Sequence, residues 1–260
     1  MNRDRFNKSI LVVHAHPDDT EAFCSGALKL LKDRGYRITI ATLTAGGMGG
    51  IGTTEEETIL RRKGEASKAA AVLDAEYYCL DGRDGYLYDT PELRTAVVTL
   101  IRRVRAGIVM THLPNDYHSD HRVTSMVTEA AAMISSLPNV PCPEEPVAIT
   151  PLLYHTAPLG FSDPLGGQVI QPSFALDIST AMETRRQMLS HHQSQIELMR
   201  VMHKMDNFFE EMEKYNRELG MRSGCEFAEI YWQHLGGGFQ KVPLVQTELA
   251  DYIKPFHKES

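Results

Sequence analysis

Along the first half of the chain, β-branched apolar runs alternate with segments of helical periodicity, the pattern that builds a parallel sheet with helices on both faces. "SILVVHA", from Ser9, reads as the first strand. A helix is predicted from about Thr20 to Arg34, with Ala27, Leu28, Leu30 and Leu31 on its buried side and Gly35 as its stop. "YRITIATL" is the second strand. After "TAGGMGGIG", Thr54 and Glu57 stand at capping-box spacing and open a helix to about Leu73. "EYYCL" forms a short third strand, Thr90 and Pro91 start the next helix as N-cap and first-turn proline, and "GIVMTH" is the fourth strand. The loop "LPNDYHSDH" leads into a helix ending near Ser136.

Residues 137 to 146, "LPNVPCPEEP", carry too many prolines for regular structure and mark a linker or an excursion from the sheet. Beyond them come strand candidates "LLYHTA" and "SFALDI", a helical region from about Thr180 to Arg217, and the strand-like "EFAEIYW". Ile196, Met199, Met202, Met205, Phe209 and Met212 lie three or four apart, as one buried stripe would. These elements describe a single α/β domain over residues 1–260: a Rossmann-like half, 1–136, and a C-terminal extension, 147–260.

Composition narrows the partners. At 260 residues with 42% hydrophobic content the chain can bury a sizeable core, and its formal charge of −7 gives it no electrostatic reason to approach nucleic acid or an anionic membrane. The charged start has an apolar run too short for a signal-peptide core, and no stretch approaches the roughly 18 residues of a membrane span, so a soluble, cytoplasmic protein is expected. Cys24, Cys79, Cys142 and Cys225 are widely scattered, which suggests neither a disulfide framework nor a thiolate zinc site.

The doubly wound order would place strand one beside strand four, where the sheet reverses and ligands bind. The loop after strand one holds His14, His16, Asp18, Asp19 and Glu21; the loop after strand four holds Asp116, His118, Asp120 and His121. His and Asp from two loops are ligand types that suit zinc, and three protein ligands with an open fourth position make a catalytic site. On residues alone the ligand choice stays open, because His14 and His16 point the same way on an extended strand. Glu21 fits either an orienting role behind the metal ligands or a place in the first helical turn.

A rival reading rests on "GMGGIG", Gly47 to Gly52, a match to a dinucleotide-binding loop in a non-catalytic or nucleotide-binding module. It follows the second strand, away from the switch point, and Glu55, Glu56 and Glu57 sit where a pyrophosphate would want the positive helix end. The loop reads better as a lid over a neighbouring site.

His16-Pro17-Asp18-Asp19 and His118-Ser119-Asp120-His121 resemble the "HPDD" and "HxDH" motifs of the PIG-L or LmbE-like family of zinc-dependent N-acetyl-sugar deacetylases. Arg62 and Glu65 before "KAA", Asp84 with Gly85, and "HQSQ" at His192 to Gln195 add to the resemblance, which covers most of the first 195 residues. It implies a Rossmann-like fold and one zinc, or another divalent metal, per chain, held by His16, Asp19 and His121. Asp18 would then be the general base, and His118 would stabilise the oxyanion or protonate the leaving amine. Arg62, Asp84 and His192 would face the substrate, with Glu21 and Asp120 orienting groups around the metal. The implied reaction removes an N-acetyl group from an N-acetylglucosamine-type sugar or its conjugate, in a homo-oligomer.

Overall fold

In the computed structural model, which describes residues 5–161, 164–165 and 170–257, the alternation becomes one eight-stranded sheet flanked by helices. In chain order the elements are β1 (Ser9–His14), α1 (Asp19–Phe23), α2 (Ser25–Asp33), β2 (Arg37–Thr44), α3 (Glu55–Ala71), β3 (Glu76–Gly82), α4 (Pro91–Arg103), β4 (Ile108–His112) and α5 (Ser119–Ile134). They continue with β5 (Leu152–Thr156), β6 (Phe174–Asp177), α6 (Met182–Leu189), α7 (Gln193–His203), α8 (Phe208–Met221), β7 (Ala228–Gln233), α9 (Leu244–Glu248) and β8 (Ile253–Lys254).

Across the sheet the order is β3-β2-β1-β4-β5-β7-β6-β8, with parallel pairing as far as β5 and antiparallel pairing beyond it. The period of two along β1 sorts its side chains: Ile10 and Val12 pack with Ala27, Leu28 and Leu31 of α2, while Leu11 and Val13 pack with Val97, Val98 and Ile101 of α4. β1, buried on both faces, therefore needs an apolar residue at almost every position, which is why it reads as a continuous apolar run. β1 lies against β4, with Ile10 opposite Ile108, as the doubly wound order requires. Two predicted helix starts are present: Thr54 and Glu57 form a reciprocal capping box, and Thr90 accepts the Leu93 N–H.

Three elements differ from expectation. The helix predicted over 20–34 is broken at Cys24, where φ is −149°, into α1 and α2. The Glu229 carboxylate of β7 accepts the Gly26 and Ala27 N–H groups, each at 2.8 Å, and so caps a second helix where one was expected. Gly26 is required there, since a Cβ would lie 2.6 Å from Ile178 Cγ2.

The helical region 180–217 is three helices, and the chain leaves α7 at Lys204 with φ 55°. The methionine stripe is split accordingly: Met212 is buried, Met199 and Met205 are half-buried, and Met202 is 63% exposed. β3 runs on to Gly82. The proline-rich excursion has no regular structure and is pinned by Arg102, whose guanidinium donates to the carbonyls of Ser135, Leu137 and Glu144. All four cysteines are free, and no helix among the described residues is long and apolar enough to cross a membrane.

Candidate metal centre

β1 and β4 each end in a histidine at the switch point, and the loops beyond them meet. Asp19, the first residue of α1, is buried at the centre of the cluster. Its Oδ2 lies 3.4 Å from His16 Nδ1 and 3.4 Å from His112 Nε2, and its Oδ1 lies 3.4 Å from His121 Nε2. Among the described residues, three overlapping sets of donor atoms are close enough to hold a metal ion: His16, His118 and His121; Asp19, His112 and His121; and His16, Asp84 and Asp120. His16 and His121 each occur in two of them. His14, the last residue of β1, is fully buried and bonded to the hydroxyls of Thr20 (3.0 Å) and Thr156 (3.2 Å), so of the two histidines His16, in the turn after β1, faces the cluster.

Carboxylates set the direction of each ring. His121 Nδ1 lies 3.0 Å from Asp116 Oδ1, leaving Nε2 toward Asp19. His16 Nε2 lies 3.3 Å from both Asp120 and Asp84, leaving Nδ1 toward Asp19. This carboxylate-histidine pairing is the usual support of metal-ligating imidazoles. Burial disfavours a charged ring at both positions, yet the surrounding carboxylates raise His16 well above the usual histidine range and His121 to about 9. Burial likewise opposes ionisation of Asp19, but His121 and His112 hold it well below the usual carboxylate range. Buried anionic oxygens that draw positive charge this strongly, with two imidazole nitrogens facing them, fit a divalent cation.

Asp18 precedes α1 in a left-handed conformation, φ 96°, a strained state for a residue with a Cβ. Arg62 of α3 holds it there: Nη2 donates to the Pro17 carbonyl at 2.9 Å and lies 3.6 Å from Asp18 Oδ1, while Nη1 donates to the Gly46 carbonyl at 3.1 Å. Burial lifts the Asp18 carboxyl to about 6, against the opposing pull of Arg62. His118 caps α5 by accepting the Asp120 N–H on Nδ1 at 3.2 Å. Burial, with His16 and His121, lowers its pKa, so the ring is neutral and carries its proton on Nε2.

The glycine-rich loop closes one wall. The Met48 N–H donates to Asp84 Oδ2 at 3.0 Å, and a Cβ on Gly46 would fall 2.1 Å from the Arg62 guanidinium. The Met48 amide and the Gly46 carbonyl of this loop thus serve Asp84 and Arg62. The Gly85 N–H donates to Asp120 Oδ2 at 2.7 Å, tying the loop after β3 to α5.

A cavity of about 220 Å³ opens over these groups. His16, Asp18, Asp19, Arg62, Asp84, Tyr117, His118, His121 and Gln195 form its polar side, and residues of α7 and α8, including Leu198, Met199, Phe208 and Met212, form an apolar side. His192 and Glu21 are not among the cavity-lining residues: both are buried, with His192 Nε2 3.4 Å from Glu21 Oε2, and from the "HQSQ" segment it is Gln195 that lines the cavity.

His112 and Tyr117 were missed as site residues. His112 stacks on His121, with centroids 3.9 Å apart and planes 5° from parallel, and accepts the Ala15 N–H. Its signal was its place at the end of the fourth strand, mirroring His14. Tyr117 lines the cavity directly before His118 in sequence, and nothing in the spacing marks it.

The chain is 30% identical over 235 residues to the diacetylchitobiose deacetylase of Thermococcus kodakarensis, covering 85% of this chain and 81% of that protein. Its fold matches the N,N'-diacetylchitobiose deacetylase of Pyrococcus horikoshii (TM-score 0.76, 22% identity, 92% of this chain and 88% of that one). It also matches GalB, the 4-carboxy-2-hydroxymuconate hydratase of Pseudomonas putida (TM-score 0.72, 21% identity, 91% and 100%). Residues 11–132, which hold both histidine-aspartate motifs, match the PIG-L family, GlcNAc-PI de-N-acetylase. The protein is a hydrolase of that family, with its histidine-aspartate cluster where the family's two motifs converge.

Proposed function

We propose that the chain is a zinc-dependent N-deacetylase acting on an N-acetylglucosamine-type sugar or its conjugate. The observation that carries the reading is that Asp18 and His118 line the same small cavity as His16, Asp19 and His121. In this reading the last three hold one zinc, through Nδ1 of His16, the Asp19 carboxylate and Nε2 of His121. A zinc ion held there would supply Lewis acidity to the acetamide carbonyl and to a water molecule. Asp18, ionised at neutral pH, accepts the proton of the attacking water, and Arg62 keeps that carboxylate turned into the cavity. His118 donates its Nε2 proton in a hydrogen bond to the oxygen that becomes negative as the carbonyl is attacked. Because its Nδ1 is held as an acceptor, oxyanion stabilisation suits this ring better than acid catalysis.

The cavity is smaller than the roughly 300 to 1,000 Å³ of sites for larger ligands, so it suits one sugar ring with its acetamido group. Hydration of a carboxylated substrate, as the GalB name describes, asks for cations facing that substrate. Here Asp18, Asp19 and Asp84 line the cavity, and the Arg62 guanidinium beside them already faces Asp18 and donates to two carbonyls. Release of a primary amine from N-acetylglucosamine, diacetylchitobiose and p-nitrophenyl N-acetylglucosaminide by zinc-loaded protein tests the proposal. Amine release supports it, and none from any acetamido sugar contradicts it.

A further inference from the structure

Helix α3 turns two buried charged side chains inward. Arg62 belongs to the Asp18 clamp; Glu65 follows one turn further on. It reaches α7: Oε1 accepts the Ser194 N–H at 3.0 Å, and Oε2 accepts the Ser194 hydroxyl at 2.5 Å. Ser194 stands in the first turn of α7, where N–H groups have no partner within the helix and the helix dipole favours an anion. Arg61 adds a second tie, with Nε 3.2 Å from Glu65 and Nη1 3.4 Å from Glu197. The next residue after Ser194 is Gln195, which lines the cavity and whose Oε1 is buried without a hydrogen-bond partner. A buried amide oxygen without a partner calls for a donor, and the residue that carries it borders the substrate cavity.

We propose that Glu65 is a positioning residue: through Ser194 it fixes the register of the first turn of α7 and so presents Gln195 to the bound substrate. The inference rests on the deacetylase reading for the identity of that substrate, a hydroxylated acetamido sugar able to donate to Gln195. It also gives a physical reason for Glu65 and "HQSQ" to occur in one chain, since each is half of the same clasp.

The test is steady-state kinetics of zinc-loaded wild type, Glu65→Ala, Glu65→Gln, Ser194→Ala and the double variant Glu65→Ala/Ser194→Ala, with p-nitrophenyl N-acetylglucosaminide. Glu65→Ala and Ser194→Ala should each raise KM by roughly 5- to 100-fold, the range for a misplaced hydrogen bond, with kcat and zinc content little changed. Glu65→Gln, which keeps an acceptor, should recover most of the loss, and the double variant should be no worse than the poorer single one. An unchanged KM alongside a lower melting temperature would make Glu65 a merely structural brace and overturn the proposal, as would effects that simply multiply. Should Glu65→Ala fail to fold, Ser194→Ala and Glu65→Gln decide. If wild type releases no amine, the deacetylase reading fails, and the clasp is judged by amide hydrogen exchange over residues 193–198. Exchange in Glu65→Ala several-fold faster than in wild type, with Glu65→Gln close to wild type, upholds the clasp, and equal exchange in all three overturns it.

Discussion

Asp116 Oδ1 lies 3.0 Å from His121 Nδ1 and also accepts the His118 N–H at 2.9 Å, so one buried carboxylate orients one histidine ring and the backbone of another. With Nδ1 committed, only Nε2 of His121 remains for a metal. Asp116→Ala should therefore weaken metal affinity by about 10- to 100-fold without removing a ligand. Competition with a chromogenic chelator measures this, and an affinity equal to wild type would show that the ring needs no such support.

Asp18 must be ionised to accept a proton, and burial lifts its carboxyl to about 6. kcat/KM should accordingly be high above that value and fall as the pH drops through about 6. Asp18→Asn should cost about two to four decades of turnover while metal stays bound, and should remove this acid limb from what activity remains. A pH-rate profile of both proteins checks it.

His118→Ala should lower kcat by about two to three decades, the usual effect of deleting an oxyanion donor, and should leave zinc content unchanged. Metal analysis beside initial rates separates this outcome from loss of a ligand. If zinc leaves with the ring, His118 belongs with the metal-binding set it forms with His16 and His121.

Glu229 is buried and accepts from Gly26, Ala27 and the Tyr231 hydroxyl, so it joins the last part of the chain to the start of α2. Glu229→Ala leaves buried N–H donors unpaired and should destabilise the fold by about 3 kcal/mol, read from urea unfolding. The activity of the folded fraction should remain, because α2 contributes nothing to the cavity lining.

Much of this was readable from local pattern. Strands buried on both faces announce themselves as apolar runs, and Thr54, Thr90 and Pro91 announce their helices because capping is local chemistry. Placing β1 beside β4 then brought His16 and Asp19 to His118 and His121 by topology alone. What stayed hidden depends on partners far away in the chain. The break at Cys24 goes with Glu229, some two hundred residues later, and the first turn of α7 is tied through Ser194 to Glu65 of α3. His14 and His16 were equivalent on an extended strand until Thr20 and Thr156 closed around His14. Arg62, a substrate contact by resemblance, lines the cavity and also donates to the carbonyls of Pro17 and Gly46, a bracing role that depends on two distant loops and that no local spacing announces.

The most direct measurement is amine release from an N-acetylglucosaminide by protein stripped of metal and then titrated with zinc. The account predicts no activity in the stripped protein, recovery that saturates at about one zinc per chain, and no recovery in His121→Ala. Activity that survives stripping, or that never appears at any zinc level, would contradict it.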